Sequence, residues 1–528
     1  MGIPTYFKDI FYKYNDVIIN NELKIDNFFM DLNCLIHPCT NNLDNDEEII
    51  NKIINQIQLI LEYVKPEKLL YIAIDGVCPI SKMITQKKRR LKSIKDKQEI
   101  KQIYKEFNKE YKYWNSNQIS PGTNFMKKLN ISINEYLKNI NIKYIFSSSD
   151  IEEEGEQKII KYIRNNKNLY NQTNCIYGLD SDLIILSLGL NINNIYLCRE
   201  SVNFFGTYSV NYNKFVYFDI NLFKSYIINE LDPDKKLEPE NIIQDYIFLS
   251  FFLRNDFVIK LPSISIRYNG ITELFKSYKK IKDKLNQNLI INSNKFIINY
   301  KFFFNLIKDL SEKEELLLQN IHRNFEKKQV EFNYSDDMSE LDIILKKRNI
   351  VDYHSIDNKL NYSKKGYKKR YYELYFNIKK DDNIDEYYSN KNKICYDYFK
   401  SLKWCMQYYS NNKVPDWNYY YNYNHGPFIS DLYFYLINNK KNIFKNIKFV
   451  YDTKPLTPYH QLSLILPRED FNLLPKKYSN IFNEKKILKY YPDINNLEID
   501  YIYKLFKYEG VLLFNIDFDI IIDVLNNI

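Results

Sequence analysis

Three short apolar runs, each closed by an aspartate, constrain the fold of this chain more than any other feature. Their length and their aromatic or β-branched content are typical of buried strands. An aspartate at such a position is either a turn residue or a functional carboxylate, and for one strand alone the turn is the more common case. The three runs are residues 28–31, 69–75 and 175–180.

Helical stretches separate these runs, and a further apolar helix is expected at 241–253. Strands that alternate with helices predict an α/β fold with a mostly parallel central sheet flanked by helices. In such a sheet, ligands bind outside the carboxyl ends of the strands, so the three aspartates are expected in one cleft. The helices that separate the runs are predicted at 45–63, 82–114, 124–140 and 154–166.

Other acidic residues accompany the strand-end aspartates as two closely spaced pairs, Glu154 with Glu156 and Asp180 with Asp182. Positions i and i+2 at a strand end project to the same side. Clustered carboxylates repel one another, whereas Mg²⁺ or Mn²⁺ accepts oxygen ligands and removes that cost. Two such ions about 4 Å apart can activate a water for phosphodiester cleavage. We therefore expect a metal site and catalytic centre formed by Asp31, Asp75, Glu154, Glu156, Asp180, Asp182 and Asp256.

The predicted helix that begins near residue 82 carries a basic face. Lys82, Gln86, Arg89 and Arg90 stand at i, i+4, i+7 and i+8, so they share one side of the helix. Guanidinium and ammonium groups gathered with an amide suit a phosphate group. The alternative is a solvated basic helix in a Lys-rich protein.

Two aromatic candidates for nucleic-acid contacts remain open between function and packing. His37 lies six residues after Asp31, where its ring could stack on a base near the metal site. Trp417 opens an aromatic segment, 417–421, that could stack on single-stranded nucleic acid. For His37 the alternative is a core or surface histidine, and for Trp417 it is core packing.

Charge and cysteine content narrow the class of protein. The net charge of +9 is compatible with a polyanionic partner without requiring one. Seven scattered cysteines, without a C-x-x-C pair, are typical of reduced core thiols in an intracellular protein. The N-terminal segment lacks the apolar stretch of a signal peptide, and no run is long enough to span a membrane. We expect a monomer without membrane contact, in the cytoplasm rather than the nucleus.

The 528 residues suggest more than one domain. Residues 1–330 are predicted to form an N-terminal catalytic region. Residues 331–385 lose periodicity and become dense in Lys, Asp and Tyr, which predicts a linker or surface insertion. Order returns beyond, so 386–528 are predicted to form a largely helical C-terminal region that packs on the catalytic region.

Several short motifs follow one another along the N-terminal region: MGIP at 1–4, MDLNCLIH at 30–37, IDGVCP at 74–79, SPGTNFM at 120–126, EGEQK at 154–158, YGLDSDL at 177–183 and NDF at 255–257. In this order they resemble the XRN-type 5′→3′ exoribonucleases of eukaryotes. Further along, residues 402–404, 414–417, 461–462 and 473–476 also fit, so the resemblance covers both conserved regions of that family.

The resemblance implies a 5′-nuclease-like (PIN-type) catalytic core with a divalent metal, Mg²⁺ or Mn²⁺, bound by the seven carboxylates. It implies that Lys82, Gln86, Arg89 and Arg90 form a pocket for the 5′-monophosphate of single-stranded RNA, and that His37 stacks on the terminal base. Trp417 lies in the region that supplies aromatic contacts. The expected reaction releases mononucleotides from the 5′ end, and a cap or triphosphate is excluded.

The sequence also departs from the family pattern. Arg254 stands where a glycine is usual before Asn-Asp, and the aromatic segment is altered at Tyr419, Asn422, Asn424 and Gly426. The family's additional C-terminal domains are not expected here, and the composition is typical of an AT-rich virus or protist. Two other functions remain as alternatives: a structure-specific 5′ nuclease on DNA flaps, and a non-catalytic RNA-binding protein.

Overall fold

The computed structural model describes residues 6–41, 43–178, 180–203, 209–327, 338–380, 383–439, 441–483, 485–514 and 516–527. The motif at residues 1–4 therefore lies outside the described residues. Seven strands form the central sheet in the order β1-β7-β6-β5-β2-β3-β4. They are β1 (Ile18–Ile19), β2 (Asn27–Asp31), β3 (Leu69–Ala73), β4 (Tyr144–Ser147), β5 (Asn174–Tyr177), β6 (Ile195–Asn203) and β7 (Ser209–Asp219).

The centre of the sheet is parallel and buried. Strands β6, β5, β2, β3 and β4 run in parallel, while β7 pairs antiparallel with both β6 and β1. Every residue of β2, β3 and β5 is buried, which explains why these strands read as continuous apolar runs rather than alternating ones. The predicted mostly parallel α/β architecture is confirmed.

Helices cover both faces of the sheet, and the predicted helices at 45–63, 82–114, 124–140, 154–166 and 241–253 are all found with shifted ends. Side-chain caps help to set where they begin, as at Thr123, whose hydroxyl accepts from the Met126 N–H. Up to residue 327 the helices are α1 (Tyr6–Lys13), α2 (Asn33–Cys39), α3 (Asp46–Val64), α4 (Ile80–Glu106), α5 (Asn124–Leu137), α6 (Gly155–Asn165), α7 (Ser181–Leu188), α8 (Ile220–Leu231), α9 (Pro239–Ser250), α10 (Gly270–Leu285) and α11 (Tyr300–Lys327).

The rest of the chain is mostly helical, as predicted. One small antiparallel pair, β10 (Ile499–Asp500) with β11 (Val511–Leu512), interrupts these helices, and another, β8 (Ile290–Asn292) with β9 (Ile297–Ile298), lies earlier, between α10 and α11. The helices are α12 (Glu340–Lys347), α13 (Tyr367–Phe376), α14 (Ile384–Ser410), α15 (Ile429–Asn438), α16 (Ile443–Asn446), α17 (Pro458–Ile465), α18 (Lys476–Ser479), α19 (Lys485–Leu488) and α20 (Phe518–Leu525).

The segment predicted as a linker at 331–385 is not irregular where the structure describes it. Residues 338–380 contain α12 and α13, and Tyr371 and Tyr372 are buried against Phe428. Tyr371 and Tyr372 are core residues although tyrosine made the segment look polar, because each ring buries a large apolar area while its hydroxyl donates to an acceptor. The positions of the domain boundaries stay a prediction.

Helix α4 lies between the sheet region and the C-terminal region. Its residues Ile80, Met83 and Ile84 share a hydrophobic cluster with α17 and α20. The N–H of Ile80 donates to the Trp417 carbonyl at 3.0 Å, and the Lys87 ammonium donates to the Leu464 carbonyl at 2.8 Å. The C-terminal region therefore holds the helix that carries the predicted phosphate-binding face.

No helix among the described residues combines the length and the apolar content that crossing a lipid bilayer requires.

Candidate active site

Four predicted carboxylates are buried together at the carboxyl edge of the sheet. Asp31 is the last residue of β2, and Asp182 lies in the first turn of α7. Glu154 and Glu156 flank the start of α6, so the spacing of this pair reflects a helix N-terminus rather than the strand end that the sequence predicted. A helix N-terminus carries partial positive charge, which favours carboxylates there.

Two glycines let these elements approach one another. A Cβ on Gly155 would lie 2.7 Å from the Asp31 Oδ1, and its N–H donates to the Asp75 Oδ1 at 2.7 Å. At Gly76 a Cβ would lie 1.7 Å from the Ile151 carbonyl oxygen. The start of α6 can therefore sit directly against the two strand-end aspartates only because both positions lack a side chain.

The carboxylates raise one another's proton affinity. Burial, with the charges of Asp75 and Asp180, raises the pKa of Asp31 well above its usual value. Burial and the neighbouring Glu154 do the same for the pKa of Glu156. Burial and the charge of Asp256 raise the pKa of Asp182 to about 7. These shifts mark a cluster whose negative charge is only partly compensated by the protein.

Lys82 lies inside this cluster, not in the lining of the phosphate pocket that the sequence predicted. Its ammonium forms ion pairs with Glu154 and, at 2.6 Å, with Oδ2 of Asp256. Burial lowers the pKa of Lys82, but Asp256 and Glu154 outweigh it and raise the pKa well above its usual value. Although burial acts in the opposite direction, Lys82 holds the pKa of Asp256 below its usual range. Lys82 is thus a built-in counter-charge.

Tyr408 is a site residue that sequence reasoning missed. Its hydroxyl donates to the Glu154 Oε2 at 3.0 Å from the buried face of α14. A tyrosine among many in an apolar helix gives no signal of this role, because the contact joins residues that are distant in the chain. The C-terminal region therefore orients a carboxylate of the N-terminal region directly.

The donor set suits a hard divalent cation, because it consists of carboxylate oxygens. The Asp31 Oδ1 is buried without a hydrogen-bond partner in the structure, so it is available as a ligand. Within the described residues, no three His, Cys, Asp or Glu side chains converge closely enough to hold a metal ion. The ammonium of Lys82 lies between Glu154 and Asp256, with which it forms ion pairs.

A small pocket opens beside the cluster, with a cavity volume of about 40 Å³. It brings Gln86, Arg89 and Arg90 of α4 together with His37 and borders on Asp75. Desolvation of the imidazole by the surrounding protein, together with the charges of Arg89 and Arg90, lowers the pKa of His37 to about 4. The ring of His37 is therefore neutral at physiological pH. Other lining residues, including Asn33, Ser120 and Gln461, were within recognised motifs but had no predicted role.

The two arginines of this pocket differ in setting. Arg89 is exposed, whereas Arg90 is buried and donates to the Ser120 hydroxyl at 2.7 Å and the Asn117 carbonyl at 3.3 Å. Burial, followed by the charge of Arg89, lowers the pKa of Arg90 to about 9. Arg90 therefore anchors the pocket wall, and Arg89 is the guanidinium free to meet a solvent-borne anion.

The aromatic segment at 417–421 is mostly part of the core. Trp417 is 9% exposed, and its backbone N–H donates to the Thr453 hydroxyl at 2.8 Å. Tyr419 and Tyr421 belong to the main hydrophobic cluster. Tyr419 and Tyr421 are therefore packing residues of the core. A stacking role for Trp417 stays a prediction.

Comparison with known proteins places the chain. The family model described as XRN 5'-3' exonuclease N-terminus matches residues 1–201, and the Xrn1 helical domain matches 236–361 and 342–517. The chain therefore belongs to the XRN 5'-3' exonuclease family.

Relatives include the human 5'-3' exoribonuclease 1, 27% identical over 93% of this chain and 32% of that protein. The 5'-3' exoribonuclease 1 of Schizosaccharomyces pombe is 27% identical over 97% of this chain and 47% of that protein. The chain thus spans less than half the length of these two relatives. Among solved structures, the catalytic core of Rad2 in complex with DNA substrate matches with 16% identity and a TM-score of 0.31, over 65% of this chain and 85% of that chain. A TM-score this low establishes neither fold nor function.

Proposed function

We propose that this protein is a divalent-metal-dependent 5′→3′ exoribonuclease that removes mononucleotides from 5′-monophosphorylated single-stranded RNA. The observation that carries the proposal is the pocket of Gln86, Arg89 and Arg90, which borders on Asp75 of the carboxylate cluster. A terminal phosphate bound in this pocket would place the nearest phosphodiester bond of the RNA at the carboxylate cluster. The enzyme would therefore cleave one nucleotide from the 5′ end. Membership of the XRN family and the names of its relatives support the same reaction.

The carboxylates would hold Mg²⁺ or Mn²⁺, with Asp31, Asp75, Glu154, Glu156, Asp180, Asp182 and Asp256 as the available ligands. A divalent ion at such a site supplies an activated water and neutralises charge on the leaving oxygen. The protein's own contribution is to fix the positions of the ligands. The backbone N–H of Gly155 donates to Asp75, and the hydroxyl of Tyr408 donates to Glu154. The ammonium of Lys82 compensates negative charge at the same place and could shift toward a phosphate of the substrate.

The pocket would select the 5′ end by size and charge. Arg89 offers an exposed guanidinium, and Arg90 adds positive charge from the buried wall. The pocket is small and lined by one set of cationic and amide groups, so we expect it to accept one phosphate group and to exclude a chain of three or a cap. Neutral His37 at the pocket edge can stack on the terminal base, because an uncharged ring does not compete with Arg89 for the phosphate.

The test uses one RNA labelled at both ends and prepared with a 5′-hydroxyl, monophosphate, triphosphate or cap. We expect Mg²⁺- or Mn²⁺-dependent release of labelled mononucleotide from the 5′ end of the monophosphorylated RNA, while the other three persist. A DNA flap of matched sequence serves as the comparison substrate. Preferred cleavage of the flap would contradict RNA specificity, and binding without cleavage at any metal concentration would favour a non-catalytic RNA-binding protein.

A further inference from the structure

A second cationic cluster lies on the other flank of α4. Lys88 and Lys92 are one helical turn apart and point away from Gln86 and Arg90, because residues two apart on a helix face roughly opposite directions. Lys92 donates to the Gly510 carbonyl at 2.6 Å, and the Thr85 hydroxyl donates to the Asp256 carbonyl at 3.0 Å. These contacts bring the loop after α9 and the segment around β11 against this flank. Lys88 and Lys92 lie on this flank, Arg254 and Lys260 lie in the loop after α9, and Lys504 lies between β10 and β11. These five residues form the second cationic cluster.

No carboxylate in the described part of the chain forms an ion pair with Lys88, Arg254, Lys260 or Lys504. The acidic groups nearby are already engaged. Asp256 pairs with Lys82, Glu509 pairs with Arg267 at 2.7 Å, and the Asp500 Oδ2 accepts from the Tyr375 hydroxyl at 2.9 Å. A hydrogen bond from a hydroxyl leaves the negative charge of Asp500 in place, so Asp500 offsets part of the charge of Lys504. The remaining positive charge of the cluster is left for a ligand to neutralise.

Mutual repulsion within the cluster supports this conclusion. The charge of Lys504, followed by burial, lowers the pKa of Lys260 well below its usual value. Burial and the charge of Arg254 lower the pKa of Lys88 to about 8. Cations that depress one another's proton affinity are held together at a cost that a bound anion removes.

Arg254 adds to the cluster at the expense of backbone strain. Its φ is 97° and its ψ 138°, a conformation that glycine adopts readily and that other residues rarely adopt. The side chain is nevertheless exposed to solvent. A strained backbone that presents an accessible guanidinium points to a function for that side chain.

We propose that Lys88, Arg254, Lys260 and Lys504 bind the phosphodiester backbone of the RNA on the 3′ side of the cleaved bond. This inference rests on the proposed exoribonuclease function. The terminal-phosphate pocket borders on Asp75 of the carboxylate cluster. Asp256 belongs to the same cluster through its ion pair with Lys82, and Arg254 stands two residues before Asp256. A strand that crosses the carboxylates from the pocket therefore leaves along the cluster, where phosphates meet charge-assisted donors.

The test measures binding as a function of RNA length. Fluorescence anisotropy in EDTA, which prevents cleavage, follows 5′-monophosphorylated RNAs of two to eight nucleotides with wild type, Arg254→Gly and Lys260→Gln. A dinucleotide has only the scissile phosphodiester, so its affinity should change little. The longer RNAs should lose about 10-fold per variant, and the salt dependence of their log affinity should fall by about 0.7 per lost phosphate contact.

Lys301→Gln, which removes an exposed charge on α11, is the matched control and should leave all lengths unaffected. Equal losses of affinity for the dinucleotide and the longer RNAs would overturn the proposal. The cluster would then attract RNA only through its overall positive charge and would not contact particular phosphates. Unchanged affinity for every length would also overturn it. Failure of the proposed function is a separate result: wild-type protein would bind these RNAs and release no mononucleotide with Mg²⁺ or Mn²⁺. Thermal melting confirms that each variant is folded.

Discussion

The ammonium of Lys82 lies 2.6 Å from the Asp256 Oδ2, although one residue belongs to α4 and the other to the loop after α9. This pair joins the basic helix to the carboxylate cluster. It also makes Lys82 a counter-charge for the site when no metal is bound, so its removal should matter most under that condition.

Lys82→Gln should destabilise the protein in EDTA by about 3–5 kcal/mol, because it leaves buried carboxylates without their counter-charge. Saturating Mg²⁺ should recover much of this loss. Urea unfolding with and without Mg²⁺ measures both effects. Lys24→Gln, which breaks the exposed pair with Glu67, is the control and should cost at most about 1 kcal/mol in either condition. A loss for Lys82→Gln that Mg²⁺ does not change would contradict a metal site here.

Asp182→Asn should abolish cleavage and yet stabilise the metal-free protein above neutral pH. The folded-state pKa of Asp182 is raised to about 7 against about 4 in the unfolded chain, so folding favours the protonated form. The wild type therefore loses stability as pH rises from about 4 to about 7, by up to roughly 4 kcal/mol. The advantage of the variant should be full above pH 7 and absent below pH 4. Urea unfolding in EDTA across this range tests the sign, and an advantage that grows toward low pH would refute the assignment.

Arg89→Gln should reduce the preference for 5′-monophosphate over 5′-hydroxyl RNA by about 10- to 100-fold, the worth of one charge-assisted contact. Cleavage rates on the two RNAs give the ratio. Lys101→Gln, farther along α4, should weaken both RNAs alike and keep the ratio. Arg90→Gln is less informative, because it also strips the Asn117 carbonyl and Ser120 hydroxyl of their donor. An unchanged ratio in Arg89→Gln would remove the pocket from the mechanism.

Arg254→Gly should be more stable than Arg254→Ala by about 1–2 kcal/mol, because glycine alone adopts φ 97° without strain. At an ordinary backbone position the order is reversed, since glycine has the larger conformational entropy in the unfolded chain. Urea unfolding of both variants decides the sign. An alanine variant equal to or more stable than the glycine variant would show that the backbone relaxes at this position.

Much of the central sheet could be predicted from the sequence, because β2, β3 and β5 are buried on both faces and read as continuous apolar runs. Strand β4, and the longer β6 and β7 near the sheet edge, were not predicted. In β6, Arg199 and Glu200 interrupt the apolar pattern, although both side chains are buried. A strand near the sheet edge carries polar as well as apolar residues. It is therefore harder to predict from the sequence than a central strand, which is a continuous apolar run.

The candidate site was predictable to a similar degree. Spacing placed Gln86, Arg89 and Arg90 on one helical face, and the structure joins them in one pocket. The helical period could not show that Lys82, on the same face, would turn toward Glu154 and Asp256, because that depends on which elements pack nearby. The contact of Tyr408 with Glu154 was hidden for the same reason. The roles of all these residues in catalysis remain predictions for the experiments above.

Along much of its length, helix α4 donates hydrogen bonds to backbone carbonyls of the second half of the chain. The acceptors are the carbonyls of Trp417, Leu464, Leu497 and Gly510. A fragment that ends near residue 330 would keep all seven candidate carboxylates and the pocket arginines, but it would lose all of these hydrogen-bond acceptors. Its exposed apolar face at Ile80, Met83 and Ile84 would favour aggregation. Any attempt to shorten this protein, or to exchange its halves with those of a relative, must therefore keep this helix together with the C-terminal segments that bind it, as one folding unit.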